Sequence, residues 1–143
     1  MNCPVCNTDI DNHPANRCLD AWVAEKVMGW DLDKVAREEF ISYRRHNTGI
    51  GMTGQEEYNE KQSRDRMLML TIPYYSTDIT AAWKVIDRLD ELYSAWFEIR
   101  GPRVWLARCN LPGYEQFSAT GLANASLAIC RAALKAMKGD SDE

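Results

Sequence analysis

Apolar residues along the chain follow two different periods, and the changes between them outline the fold. Leu19, Trp22, Val23 and Val27 recur at steps of three and four, which predicts a helix with these residues on one face, ending near Gly29. Cys18 falls in its first turn. A second helix is predicted from Asp31 to about His46, with Leu32, Val35, Ala36, Phe40 and Tyr43 on one stripe and Asp31 or Asp33 at its positive end. Between 47 and 66 the periodicity stops. This stretch is polar, rich in glycine and then densely charged, the composition of an exposed insertion. Gly49, Gly51 and Gly54 have the spacing of a dinucleotide-binding loop, but charged Arg44, Arg45 and His46 precede them and no strand-helix-strand unit follows. Thr53 capping a short helix, with Glu56 answering three residues later, accounts for the same residues.

The second half of the chain is denser in apolar residues. Met67 to Tyr75 reads as extended, because the run favours strands and Pro73 pushes its predecessor away from helix. Ser76, Thr77 and Asp78 then open a helix, with Ser76 or Thr77 as N-cap and Ile79, Ala82, Trp83, Ile86 and Leu89 as its buried stripe. Three strands are predicted at 96–100, 104–109 and 114–120, with turns at Gly101–Pro102 and at 110–113. A closing helix from about Leu122 to Lys138 carries Ala125, Ile129, Cys130, Ala133, Leu134 and Met137. The class is α+β: an α-β-β-β-α sandwich with a three-stranded antiparallel sheet, preceded by a small metal-binding segment and one or two extra helices. The expected division is a segment at 1–18 and a single sandwich domain at 19–143 carrying the insertion at 47–66.

Composition narrows the function. At 143 residues and 45% hydrophobic content the chain can bury one ordinary core. No stretch approaches the roughly 20 apolar residues of a membrane helix, and polar Asn7, Asp9 and Asp11 stand where a signal peptide would have its apolar run, so a cytoplasmic location is expected. The formal charge of -4 gives no global attraction to polyanions. Helix, three strands, helix is also the order in double-stranded-RNA-binding domains. Their basic start to the second helix is missing here, where Ser118, Ala119, Thr120 and Gly121 stand instead.

Three of the five cysteines fall within the first eighteen residues. Cys3 and Cys6, separated by Pro4 and Val5, can turn both sulfurs toward one point. His13 and Cys18 complete a set of three thiolates and one imidazole, a closed tetrahedral set suited to structural zinc. The loop between Cys6 and Cys18 is mostly turn-forming residues, so metal supplies the order that a core would otherwise provide. A redox pair is the competing reading of Cys-x-x-Cys, and it lacks the strand that normally precedes one.

The segments Tyr75 to Leu89, the strand containing Trp96 and Phe97, and Ser126 to Met137 together resemble the bacteriophage ABA sandwich domain family. That family pairs a Tyr-Ser-Thr-Asp-Ile opening with a closing Ala-Ile-Cys-Arg-Ala-Ala-Leu helix. The helix at 18–30 also resembles the family's first helix, whereas 31–70 departs from the family as a longer insertion. The resemblance implies an α/β sandwich of phage or prophage origin and carries no agreed activity.

Catalytic parts are few. With His13 committed to metal, His46 is left beside two arginines, and no nucleophile elbow or catalytic carboxylate set is recognisable. A non-catalytic binding protein is the expectation, with a small anionic nucleotide signal of bacterial antiviral defence as its ligand and inhibition of that defence as its role. Arg44, Arg45, Arg64 and Arg66 would hold phosphate, Tyr74 and Tyr75 would stack on a base, and Ser76 would offer a helix N-terminus. Two alternatives stand beside it: a zinc-knuckle protein that binds a host or phage protein or nucleic acid, and a small phosphodiesterase-like enzyme. Five tryptophans and the free edges of a short sheet leave room for a homodimer or higher oligomer.

Overall fold

The computed structural model describes residues 1–38, 68, 70–113, 115–121 and 124–140, with side chains to 137. It divides into two units, one of residues 1–29 with 73–143 and one of Trp30–Ile72. The first unit contains a 3-10 turn (Ile10–Asn12), α1 (Arg17–Lys26), α2 (Ile79–Tyr93), β1 (Trp96–Arg100), β2 (Trp105–Asn110), β3 (Gln116–Gly121) and α3 (Ala125–Asp140). The three strands form one antiparallel sheet in the order β1-β2-β3. The α+β class and the three-stranded antiparallel sheet therefore stand as the sequence predicted.

Register explains which sheet face is covered. Ile99, Ala107 and Ala119 lie side by side across the strands, as do Phe97, Cys109 and Phe117. Ala107, Cys109 and Ala119 are buried, while Arg108 and Ser118 on the opposite parity are not. α3 packs on β2 and β3, and α2 lies mainly against α3, touching the sheet at β1. Every residue of α3 from Ser126 to Leu134 is buried, so the helix is enclosed on all sides. The approach is close. A Cβ added at Gly121 would sit 2.8 Å from the Ala128 nitrogen and 2.8 Å from the Asn124 oxygen, so only glycine fits where β3 turns into α3.

α1 starts at N-cap Asn16, whose side chain accepts from the Leu19 N–H. It ends as expected near Gly29, which has a φ of +77°. Its apolar face contains an acid, Asp20, at 1% exposure. Asp20 accepts from the Ser76 N–H at 2.7 Å and from Arg17 Nη1 at 2.8 Å, tying the approach to α2 onto α1.

Three local expectations are corrected. Asp78, not Ser76 or Thr77, caps α2, accepting from the Thr80 N–H. The buried stripe of α2 is Ala81, Ala82, Val85, Ile86 and Leu89, with Ile79 and Trp83 turned to solvent at 45% and 53% exposure. A tryptophan is too bulky for a seam packed against the small residues of α3. Within the second unit, Leu68, Leu70 and Thr71 are helical where an extended run was expected. The Ile72 N–H reaches the Leu68 carbonyl at 2.9 Å, so the helical turn runs up to the residue before Pro73 and stops there. That unit also holds helical residues 32–38, begun by Asp31, whose side chain accepts from the Lys34 N–H, with Leu32 and Ala36 buried. Phe40, Tyr43 and the insertion at 47–66 lie outside the described residues.

Candidate metal centre

The first eighteen residues fold around their own polar groups. The Cys3 N–H donates to Thr8 O and the Asn7 N–H to Cys3 O, both at 2.9 Å, closing a tight loop in which Asn7 adopts a φ of 59°. The Val5 N–H points at Cys3 Sγ, 3.4 Å away. Asn2 bridges to Asp9, and the Asp9 carboxylate accepts from the Asp11 N–H to start the 3-10 turn. Ile10 is buried and anchors this turn. The chain then delivers His13, at 0% exposure, and enters α1 with Cys18 at its second residue.

Sγ of Cys3, Cys6 and Cys18 and a ring nitrogen of His13 all lie within 4.8 Å of one another. Cys3 and Cys18 sulfurs are 3.1 Å apart, and Cys6 Sγ is 3.2 Å from His13 Nε2. Ligands about 2.3 Å from a tetrahedral ion stand roughly 3.8 Å apart, so the four atoms are close enough to hold one metal ion. The tautomer of His13 follows from its other nitrogen. Nδ1 is 2.9 Å from the Pro14 carbonyl, which can only accept, so Nδ1 is the donor there and Nε2 is the nitrogen that faces the thiols and would bind an ion.

The thiols of the segment differ in their surroundings. Hydrogen bonds from Thr8 hold Cys6 down to about 6. Burial, then the neighbouring Cys3 and Cys6, push Cys18 up to about 12. The two remaining cysteines are different: burial pushes Cys109 up to about 12 and Cys130 well above its ordinary value, which makes them inert core thiols.

The sequence-predicted ligand residues fall partly within the described residues. Arg44, Arg45, Arg64 and Arg66 lie outside the described residues. Tyr75 and Ser76 are enclosed, with Ser76 Oγ donating to Asn16 O. Tyr74 is half exposed, and the Arg17 guanidinium stacks over its ring at 3.9 Å. Two charged residues were missed from sequence. Asp20 interrupts the apolar face of α1, and Arg131 is the one charged residue between Leu127 and Leu134. Each interruption was the available signal. A cavity of about 510 Å³ lies between the amino-terminal loop and the helices, walled by Pro4, Trp22, Lys26, Leu134 and Met137.

Fold and site together define a small α+β sandwich preceded by a segment whose three thiols and one imidazole lie close enough to hold a metal ion. The chain belongs to the phage ABA sandwich domain family, whose model matches residues 21–134. That family has no known catalytic activity and points to a phage-encoded protein. All four metal-site residues lie ahead of the matched stretch. No curated protein and no solved structure matches the chain. Among the described residues, no helix is long and apolar enough to cross a membrane.

Proposed function

We propose that this is a phage-encoded, non-catalytic binding protein of the infected cell's cytoplasm, whose amino-terminal segment is held by one structural zinc ion. The observation that carries the zinc reading is the convergence of Cys3, Cys6, His13 and Cys18, with His13 Nδ1 already committed to Pro14. Three sulfurs and a nitrogen suit zinc, and four protein ligands leave no coordination position for a reacting water. Mass spectrometry of the chain under native conditions tests it: one zinc per chain is expected, and a metal-free, equally folded segment sinks the reading.

The ligand class we propose is a small anionic nucleotide signal of bacterial antiviral defence, captured so that the defence stays silent. Phage-family membership supports this, and so does exposed Tyr74 with a guanidinium stacked on it beside the start of α2. The four arginines enter this reading from the sequence alone. Calorimetric titration with cyclic oligonucleotides and ADP-ribose-type signals decides it. Binding tighter than about 10 μM supports it, and the lack of any such binder ends it. A ligand recovered chemically changed would reveal an enzyme.

A second reading, a host or phage protein as partner, is favoured by the loop itself. Val5 stands 76% exposed at the loop tip, and Asp9 and Asp11 give the loop an acidic face that suits protein better than DNA. Pull-down with the zinc-loaded chain and with Val5→Asp separates the two, since only the protein partner would be lost with Val5.

A further inference from the structure

Arg131 is 8% exposed in the middle of α3. Its Nη1 donates to the Thr120 carbonyl at 2.7 Å and its Nη2 to the His13 carbonyl, while Nε has no partner. Both acceptors are neutral. No described carboxylate forms an ion pair with it, and the nearest acidic influence, Asp11, is itself engaged by Lys135. A buried guanidinium without a counter-charge is costly. A divalent ion on three thiolates and a neutral imidazole carries one net negative charge, and the His13 carbonyl that Arg131 holds belongs to one of its ligands.

The sheet supplies the other half of the argument. β3 is an edge strand, and its outward carbonyls need partners. Arg131 takes Thr120 O and Lys135 takes Ser118 O at 2.9 Å. Each of these side chains also reaches the amino-terminal loop, Arg131 at His13 and Lys135 at Asp11. Two cations of α3 thus join the loop to the edge of β3.

We propose that Arg131 is the counter-charge of the metal centre and, with Lys135, clamps the metal loop onto the β3 edge, so that metal occupancy and order at that edge rise and fall together. This rests on the zinc reading above. Arg131 acts as a positioning residue, touching a ligand's backbone and not the ion.

The test compares zinc affinity, by chelator competition, for the unaltered chain, Arg131→Gln and Arg131→Lys, with the absorption bands of cobalt-loaded protein as a check on the ligand set. The expected result is a loss of about 10- to 100-fold for Arg131→Gln, substantial recovery in Arg131→Lys, and bands of a three-sulfur, one-nitrogen site throughout. Equal affinity for Arg131→Gln overturns the proposal, as does an equal loss in both variants, which would make shape and not charge the cause. An unaltered chain that takes up no zinc would instead remove the metal reading itself. Hydrogen exchange on the unaltered chain guards against variants that fail to fold: stripping zinc should speed exchange across Gln116–Gly121, and unchanged exchange there overturns the coupling.

Discussion

The amino-terminal segment and the sandwich seam are ordered by opposite means. Across residues 1–16 the buried apolar side chains are Cys3 and Ile10, and Val5 stands in solvent. Nine consecutive residues of α3 are buried, most of them alanine, leucine or isoleucine. Loss of contact with water holds the seam together. Hydrogen bonds order the segment, which buries little apolar surface, and on the zinc reading an ion between its four donors offsets the remaining chain entropy. Stability of one region should therefore answer to chelators and that of the other to cavities.

The largest expected effect is on the segment. Cys18→Ser, or chelation, should abolish zinc retention and collapse hydrogen-exchange protection over 1–16, while the circular-dichroism signal of the sandwich persists. Iodoacetamide labelling should then reach Cys3, Cys6 and Cys18 quickly and leave Cys109 and Cys130 untouched. Labelling of all five at one rate would erase the contrast between the regions. Next comes Leu89→Ala, at a site with 0% exposure, which should cost about 2–5 kcal/mol in urea denaturation with zinc stoichiometry unchanged. Asp20→Asn should cost less, about 1–3 kcal/mol, because the Ser76 N–H and Arg17 lose an ionised acceptor.

The mildest test is alkaline pH. Cys109 moves from 9.0 to about 12 and Tyr75 from 10.0 to about 12, chiefly through burial, so both stay protonated in the folded chain after they ionise in the unfolded one. The unfolded state then binds fewer protons, and stability falls as pH rises from about 9 toward about 12. The urea midpoint of the sheet should decline within that window. A midpoint that rises there would contradict the burial of both groups.

Much of this was legible in the sequence because it depended on local chemistry. Spacing alone brought Cys3, Cys6, His13 and Cys18 together, since short loops can only return to a point nearby. Alternation located the strands to within one or two residues. What escaped depended on partners distant along the chain. Trp83 and Ile79 satisfy a helical stripe as well as Val85 and Ala81 do, and only the small-residue surface of α3 selects between them. Asp20 is explained by Ser76, 56 residues away, and Arg131 by His13, 118 residues away. Tyr75 and Ser76 looked like surface residues until that carboxylate drew them inward.

The seam between β2, β3 and α3 has a consequence for how the domain can change over generations. Ala107, Cys109 and Ala119 are buried beneath a helix that is itself rich in buried alanine, and at Gly121 an added carbon would meet the Ala128 backbone, so there is little to trim and, at that glycine, nowhere to add a methyl group. Inheritance can alter this interface only by paired exchanges, which are rare. Novelty is therefore steered to the outward positions, such as Trp96, Arg100, Gln116 and Ser118, where the same backbone tolerates almost any side chain.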